Sequence, residues 1–121
     1  MLAQAKKLDI AVFSFTAASW TLKFLKGKKV RIILDAGART EDDKRRVAGI
    51  KRLLSTVAEV KTMRDLHMKV FIANKGKCVL GSMNLSKKSL FSSHEAGIYI
   101  ENEEFITKIQ EHFEILWKGA K

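Results

Sequence analysis

Apolar positions along the chain change period several times, and each change marks an element. Residues 8–15 (LDIAVFSF) form an apolar run rich in β-formers and read as a buried strand. From Thr16 to Lys26, Trp20, Phe24 and Leu25 recur at near-helical spacing, and Gly27 follows as a C′ stop. Residues 29–35 (KVRIILD) are a second strand, so strand, helix, glycine and strand make a βαβ unit and at least part of the sheet is parallel. Over residues 40–57, Thr40 is the expected N-cap, and Val47, Ile50, Leu53, Leu54 and Val57 recur at intervals of three and four. That is an amphipathic helix with Lys44, Arg45, Lys51 and Arg52 mostly off the apolar stripe. A short strand near 59–63 follows, then a β-hairpin over 67–84 turning at residues 74–77, then a strand at 95–100. Asn102 caps a last helix with Glu103 and Glu104 in its first turn, and its buried stripe is expected at Phe105, Ile109, Phe113, Leu116 and Trp117. Phe113 and Trp117 are therefore core residues and not a base-stacking platform. The pattern predicts an α/β fold with a mixed, largely parallel β-sheet flanked by helices on both faces.

Length and composition narrow the picture. The 121 residues fit one domain, 46 % hydrophobic content supports a packed core, and the absence of proline leaves no marked internal linker. The 23 basic against 13 acidic residues give a net charge of +10, which favours a polyanionic partner, either nucleic acid or an anionic membrane surface. The single cysteine, Cys78, sits in an apolar strand and reads as a buried, inert thiol. No stretch reaches membrane-spanning length, and the start of the chain lacks a signal-peptide pattern, so the expected compartment is the cytoplasm.

Candidate chemistry concentrates in residues 67–84. His67, Lys69, Ser82 and Asn84 offer an imidazole, an ammonium, a hydroxyl and an amide, a set suited to a phosphate. Residues i and i+2 of a strand share a face, so His67 pairs with Lys69 and Ser82 with Asn84. If a two-residue loop at Lys75-Gly76 closes the hairpin, Lys69 faces Ser82 and His67 faces Asn84. A three-residue loop with a bulge at Gly76 alters that register. A lone strand histidine is usually packed or solvated, but here each polar residue interrupts an otherwise apolar strand pair, where it costs stability unless something binds it. Asp35 ends a strand and Asp42 and Asp43 open a helix, so each has an ordinary structural explanation. The carboxylate clusters and Cys/His spacing of a metal site are missing from the sequence, and neither a metal nor a cofactor is expected.

The spacing His67-x-Lys69, four residues, Asn74, six residues, Gly81-Ser82-x-Asn84 resembles the HKD motif of the phospholipase D superfamily, H-x-K-x4-D-x6-G-S-x-N. Asn74 stands where the family has Asp. Glu95, in SSHEAGIYI, resembles the acidic residue that follows the motif, and the opening βαβ unit resembles that of the small single-motif endonucleases. The chain starts almost at that unit, so the domain spanning 1–121 is expected to lack an N-terminal strand or to be part of a longer protein.

The resemblance implies a phospholipase D-like fold and a metal-independent phosphodiesterase working through a phosphohistidine. In it His67 attacks phosphorus, Lys69 and Asn84 hold the non-bridging oxygens, Ser82 supports them and Glu95 orients an imidazole. Asn74 and Gly81 take motif-supporting roles. One chain supplies one motif histidine, so a homodimer must complete the site. His94, an intrachain alternative, adjoins Glu95 on the opposite face, and His112 reads as a surface residue. The charge balance favours DNA or RNA as substrate, with Lys75, Lys77, Lys87 and Lys88 flanking the site and Arg39, Lys44, Arg45 and Arg46 continuing the track. The alternatives are a lipid phosphodiesterase or transphosphatidylase with the same chemistry, and a nucleic-acid-binding module that no longer cleaves, which Asn74 leaves open.

Overall fold

A computed structural model describes residues 4–13, 19–37, 40–73, 76–81 and 96–121. The elements run β1 (Lys7–Val12), α1 (Ser19–Leu25), β2 (Lys29–Asp35), α2 (Glu41–Leu54), β3 (Glu59–Met63), β4 (Lys69–Ala73), β5 (Lys77–Gly81), β6 (Gly97–Ile100) and α3 (Glu103–Gly119). They build one six-stranded sheet in the order β3-β2-β1-β4-β5-β6. β1 pairs parallel with β2, and β2 with β3. The pairs β1–β4, β4–β5 and β5–β6 are antiparallel. The sheet is thus mixed, and its parallel share is smaller than expected: only the two βα crossovers supply parallel neighbours, whereas the short 74–76 connection forces an antiparallel hairpin.

Alternation along the strands divides the core into two layers. Leu8, Ile10 and Val12 of β1 join Val30, Ile32, Leu34 and Phe71 under α1 and α2, which add Leu25 and Leu54. Ala11, Ile33, Val70, Ile72 and Cys78 face the other way, under Ile106 and Phe113 of α3. Burial on both sides explains why β1 and β2 read as continuous apolar runs. Cys78 is fully buried, and desolvation pushes its thiol up to about 11, which keeps it protonated and inert.

The caps are those the sequence announces. The Thr40 side chain accepts from the Asp43 N–H while the Asp43 carboxylate accepts from the Thr40 N–H, a capping box. The Asn102 side chain accepts from the Phe105 N–H at 3.0 Å. Gly27, past the end of α1, has φ +82°, a left-handed conformation that stops the helix.

Two stripes shift. Phe105 is 62 % exposed, because α3 meets the sheet through Ile106, Ile109, Phe113, Leu116 and Trp117 and a one-residue step turns Phe105 about 100° off that line. In α2 Leu54 is buried, with Ile50 and, three residues past the helix end, Val57 packed against the same core, but Leu53 is 38 % exposed. Only the C-terminal part of that helix presses on the sheet, so the contact stripe is narrower than the periodicity suggests.

One polar group lies within the expected apolar run. Asp9 of β1 is 2 % exposed, and its carboxylate accepts from Arg31 Nε at 2.7 Å, Arg31 NH2 at 2.8 Å and Gln110 Nε2 at 2.9 Å. Arg31 also donates to Glu114, one bond measuring 3.1 Å, and its guanidinium lies over the Phe113 and Trp117 rings at 5.1 and 5.3 Å. Two neighbouring strands are thereby tied to α3 through a nearly saturated ion-pair network, and the two carboxylates hold the guanidinium firmly protonated.

The bonds from Arg31 hold the Glu114 carboxyl below its ordinary value near 4.5. The stability this gives is fully present above that value and is lost as pH falls through the depressed, folded-state value. Acid titration of the melting temperature is expected to show a steeper fall below pH ~4.5 for wild type than for Glu114→Gln. Parallel curves would remove Glu114 from the acid response.

Candidate active site

The parallel strands β1, β2 and β3 all end at one rim of the sheet, the position where open α/β sheets place ligands. Val12, at the end of β1, pairs with Lys69, at the start of β4. Gly81, at the end of β5, pairs with Gly97, at the start of β6. All six strands therefore reach this rim, and the segment that carries His67 enters β4 there.

That segment is pinned on both sides of the imidazole. Leu66 is buried and its N–H donates to Asp35 Oδ1 at 3.0 Å, joining the end of β2 to the run-in to β4. Met68 packs on the α3-side core. The chain reaches this run through Asp65, whose φ of 57° gives a left-handed turn. With its two neighbours anchored, His67 is exposed and turned to the same face as Lys69.

Lys69 Nζ lies 3.5 Å from His67 Nε2. An ammonium can only donate, so in this contact Nε2 is the acceptor, which in a neutral ring leaves the proton on Nδ1. Phe13, one residue past β1, meets the His67 ring edge-on at a centroid distance of 5.2 Å, and Lys69 Nζ stands 5.7 Å from its centre. The expectation that Phe13 is buried within β1 fails: it is 45 % exposed and forms the apolar wall of the pair. Its sequence signal is an aromatic placed directly after the last buried strand residue. The arrangement sets an exposed imidazole and a positive charge side by side, which suits an anionic electrophile.

Of the two hairpin closures the sequence allows, the structure takes the three-residue loop at Gly76 and not the two-residue loop. Ala73 pairs with Lys77 and Val70 with Leu80, so three residues connect the strands, and Gly76 has φ +72°. Carried one step further, this register sets Lys69 opposite Gly81, not Ser82. The physical reason is the left-handed Gly76, which adds the extra loop residue.

Gly81 has a steric requirement of its own. A Cβ built there would lie 2.3 Å from the Ala96 carbonyl oxygen and 2.6 Å from Gly97 Cα. Both obstacles are backbone, so Gly81→Ala must push β6 away from β5. A loss of roughly 1–3 kcal/mol is expected in denaturant unfolding. A variant as stable as wild type would mean that β6 moves freely.

Of the other sequence candidates, Lys77 is at the far end of β5, four strand residues or about 13 Å from the rim of Lys69. Arg45 is exposed on α2 and stands 3.7 Å from Asp42. The structure does not bring either of them to the His67–Lys69 pair. Arg39, Asn74, Lys75, Ser82, Asn84, Lys87, Lys88, His94 and Glu95 lie outside the described residues. No group of three or more His, Cys, Asp or Glu able to hold a metal occurs among the described residues. No helix among them is long and apolar enough to cross a membrane.

The sequence matches the family described as "Cardiolipin synthase, PLD-like domain" over residues 1–117. A mitochondrial cardiolipin hydrolase of Canis lupus familiaris is 25 % identical over 126 residues, covering 98 % of this chain. The chain spans only 48 % of that relative's length. NucT from Helicobacter pylori superposes with a TM-score of 0.77 at 19 % identity, covering 98 % of this chain and 84 % of that one. The phospholipase D family member Nuc from Salmonella typhimurium gives 0.77 at 21 % identity, covering 99 % and 84 %. These two share the fold. A family match across almost all of its length, with a paired histidine and lysine at the rim where the strands end, makes this chain a member of the phospholipase D superfamily, in the family of cardiolipin synthase, PLD-like domains.

Proposed function

We propose that this chain is a metal-independent phosphodiesterase that cleaves the backbone of DNA or RNA, with two copies completing one active site. The observation that carries the proposal is the His67–Lys69 contact of 3.5 Å at the strand-end rim, within the spacing of the superfamily motif. In the first step Lys69 turns from the ring to the phosphate oxygens, and the freed His67 Nε2 attacks phosphorus. An N–P bond forms, the P–O bond to the leaving group breaks, and the His67 imidazolium of a second copy gives its proton to the leaving oxygen. In the second step that imidazole takes a proton from water, the new oxygen bonds to phosphorus, and the N–P bond breaks. Lys69 balances the charge that builds on the non-bridging oxygens, and Asn84 and Ser82 join it there. Glu95 fixes the orientation of an imidazole, while Asn74 and Gly81 support the motif. The +10 charge favours a nucleic-acid substrate, held by phosphate contacts that read no bases. Lys75, Lys77, Lys87, Lys88, Arg39 and Arg45 are the basic candidates for such contacts.

A second reading, cleavage of a lipid phosphodiester, draws on the cardiolipin hydrolase relative at 25 % identity. The chemistry at phosphorus is the same. Incubation in EDTA with single- and double-stranded DNA, RNA and cardiolipin vesicles, beside His67→Ala, separates the two. Nucleic-acid cleavage by wild type alone supports the proposal, and lipid turnover with no nucleic-acid cleavage reverses it. Tight nucleic-acid binding without any cleavage indicates a degenerate binding module.

A further inference from the structure

Asp35 ends β2 at the rim where His67 stands, and its carboxylate reaches across to another segment. Oδ1 accepts the Leu66 N–H at 3.0 Å. Leu66 is 4 % exposed, so without that carboxylate its N–H is left in the interior with no acceptor. The acceptor is itself fixed. Asp35 pairs with Met63 in the β2–β3 ladder, and the following Ala36 N–H donates to the Met63 carbonyl at 2.7 Å. His67 comes directly after Leu66, and the β1–β4 ladder stops short of it at the Val12–Lys69 pair. The position of the imidazole is therefore set by what holds its two neighbours. Two backbone features converge on the same bond. Asp65, just before Leu66, has φ 57°, a left-handed conformation that a non-glycine residue adopts at a cost. Gly37, just past the end of β2, has φ +44°, and a Cβ there would lie 2.9 Å from Asp35 Oδ2. A side chain at 37 would displace the carboxylate that holds Leu66. The loop after β2 and the turn before β4 are thus both shaped to let one carboxylate span them.

We infer that Asp35 is a positioning residue for His67, fixing the imidazole beside Lys69 and Phe13 through the Leu66 N–H. Its catalytic consequence rests on the proposed phosphodiesterase reading, but the geometry it sets is measurable without turnover. Attack on phosphorus needs the ring nitrogen in line with the departing oxygen, and misplacing a reacting group by about 1 Å costs on the order of 10²-fold in rate. The Lys69 main chain is held by its ladder partner Val12, whereas His67 lies beyond the ladder. Release of Leu66 therefore moves one member of the pair and leaves the other. The 3.5 Å between Lys69 Nζ and His67 Nε2 and the 5.2 Å between the His67 and Phe13 rings both depend on the tether. The donor at Leu66 is a neutral main-chain N–H, so what the site needs at position 35 is an acceptor and not a negative charge. Asn can supply one and Ala cannot.

The test compares Asp35→Ala, Asp35→Asn and, as a control destabilised away from the rim, Leu54→Val, whose side chain is buried at the C-terminal end of α2. Each is assayed on an oligonucleotide in EDTA, well below its melting temperature. The His67 ring protons, assigned with His67→Ala, are followed by NMR without substrate. Phe13 meets that ring edge-on, so its ring current shifts these resonances from free-histidine positions and they report the contact. Asp35→Ala is expected to lower kcat about tenfold or more with KM within about twofold, and to speed exchange of the Leu66 amide about tenfold or more. Its His67 resonances should move toward free-histidine positions. Asp35→Asn is expected to keep kcat and amide exchange within about threefold of wild type, with the resonances in place. Leu54→Val should change only the melting temperature. Wild-type His67 resonances or an unchanged kcat in Asp35→Ala overturns the inference, because the lost bond was then merely structural. So does Asp35→Asn as damaging as Asp35→Ala, which would make the charge the cause, or an equal movement of the resonances in Leu54→Val. If Asp35→Ala does not fold, Gly37→Ala displaces the carboxylate without removing it, and unmoved resonances there overturn the inference in the same way. Wild type without turnover of any phosphodiester sinks the catalytic proposal, while the resonances still decide whether Asp35 sets the imidazole.

Discussion

An equal mixture of wild-type and His67→Ala chains, allowed to exchange partners, is expected to keep about one quarter of the nuclease activity of the same total amount of wild type, because random pairing makes that fraction of dimers fully wild type. Each homodimer in the proposed scheme has one site and consumes both of its histidines, one as nucleophile and one as general acid and then base. A dimer with a single imidazole has lost one role, and the remaining imidazole cannot serve both sides of phosphorus at once. Pure His67→Ala, which lacks both groups, is expected to fall by about 10⁴-fold or more. The quadratic dependence on wild-type fraction separates this scheme from two others. Independent sites in each chain give about one half, and so does a contaminating nuclease diluted by mixing. Sedimentation run beside the assay must show the dimer. A linear dependence, or a protein monomeric at assay concentration and still active, removes the shared site.

Asp9→Ala is expected to be the most damaging single change to stability, at roughly 3–5 kcal/mol or a fall in melting temperature of about 10–20 °C. Asp9 is almost wholly buried and accepts three hydrogen bonds, two of them from Arg31, whose side chain is itself 16 % exposed. Removing the carboxylate leaves a guanidinium under α3 with only Glu114, which is 41 % exposed, to balance it. Replacing both partners with apolar residues, as in Asp9→Val with Arg31→Met, is expected to recover much of the loss, since no orphaned charge remains. A double variant worse than the sum of the singles would contradict this. The arginine also stacks on Phe113 and Trp117, so Arg31→Met keeps part of the apolar contact that Arg31→Ala would lose.

The order of elements was legible because the helical stripes and the strand runs are long and their caps explicit. Thr40 and Asn102 start their helices where the side-chain chemistry says they should. The Phe105 error shows the limit of periodicity. Two adjacent apolar residues, Phe105 and Ile106, both suit the stripe, and only the position of the sheet beneath α3 chooses Ile106. Asp9 escaped notice because one polar residue in an apolar run carries no sign of its partners, which lie 22 and 101 positions away.

At the candidate site, the two-residue spacing of His67 and Lys69 was enough to set them on one face, and the contact between them follows from strand geometry. The wall supplied by Phe13 was not legible, since it depends on β1 pairing antiparallel with β4. Nor was the tether from Asp35 to Leu66, which links two segments 31 residues apart.

The sequence by itself determined the α/β class, the starts of α2 and α3, the buried thiol and the shared face of His67 and Lys69, because these depend on local spacing and side-chain chemistry. The tertiary structure alone decided the hairpin register, the Asp9–Arg31–Glu114 tie and the placing of Phe13 against the His67 ring. Each of those depends on which strand lies beside which, and a sheet order of β3-β2-β1-β4-β5-β6 joins residues that are distant along the chain.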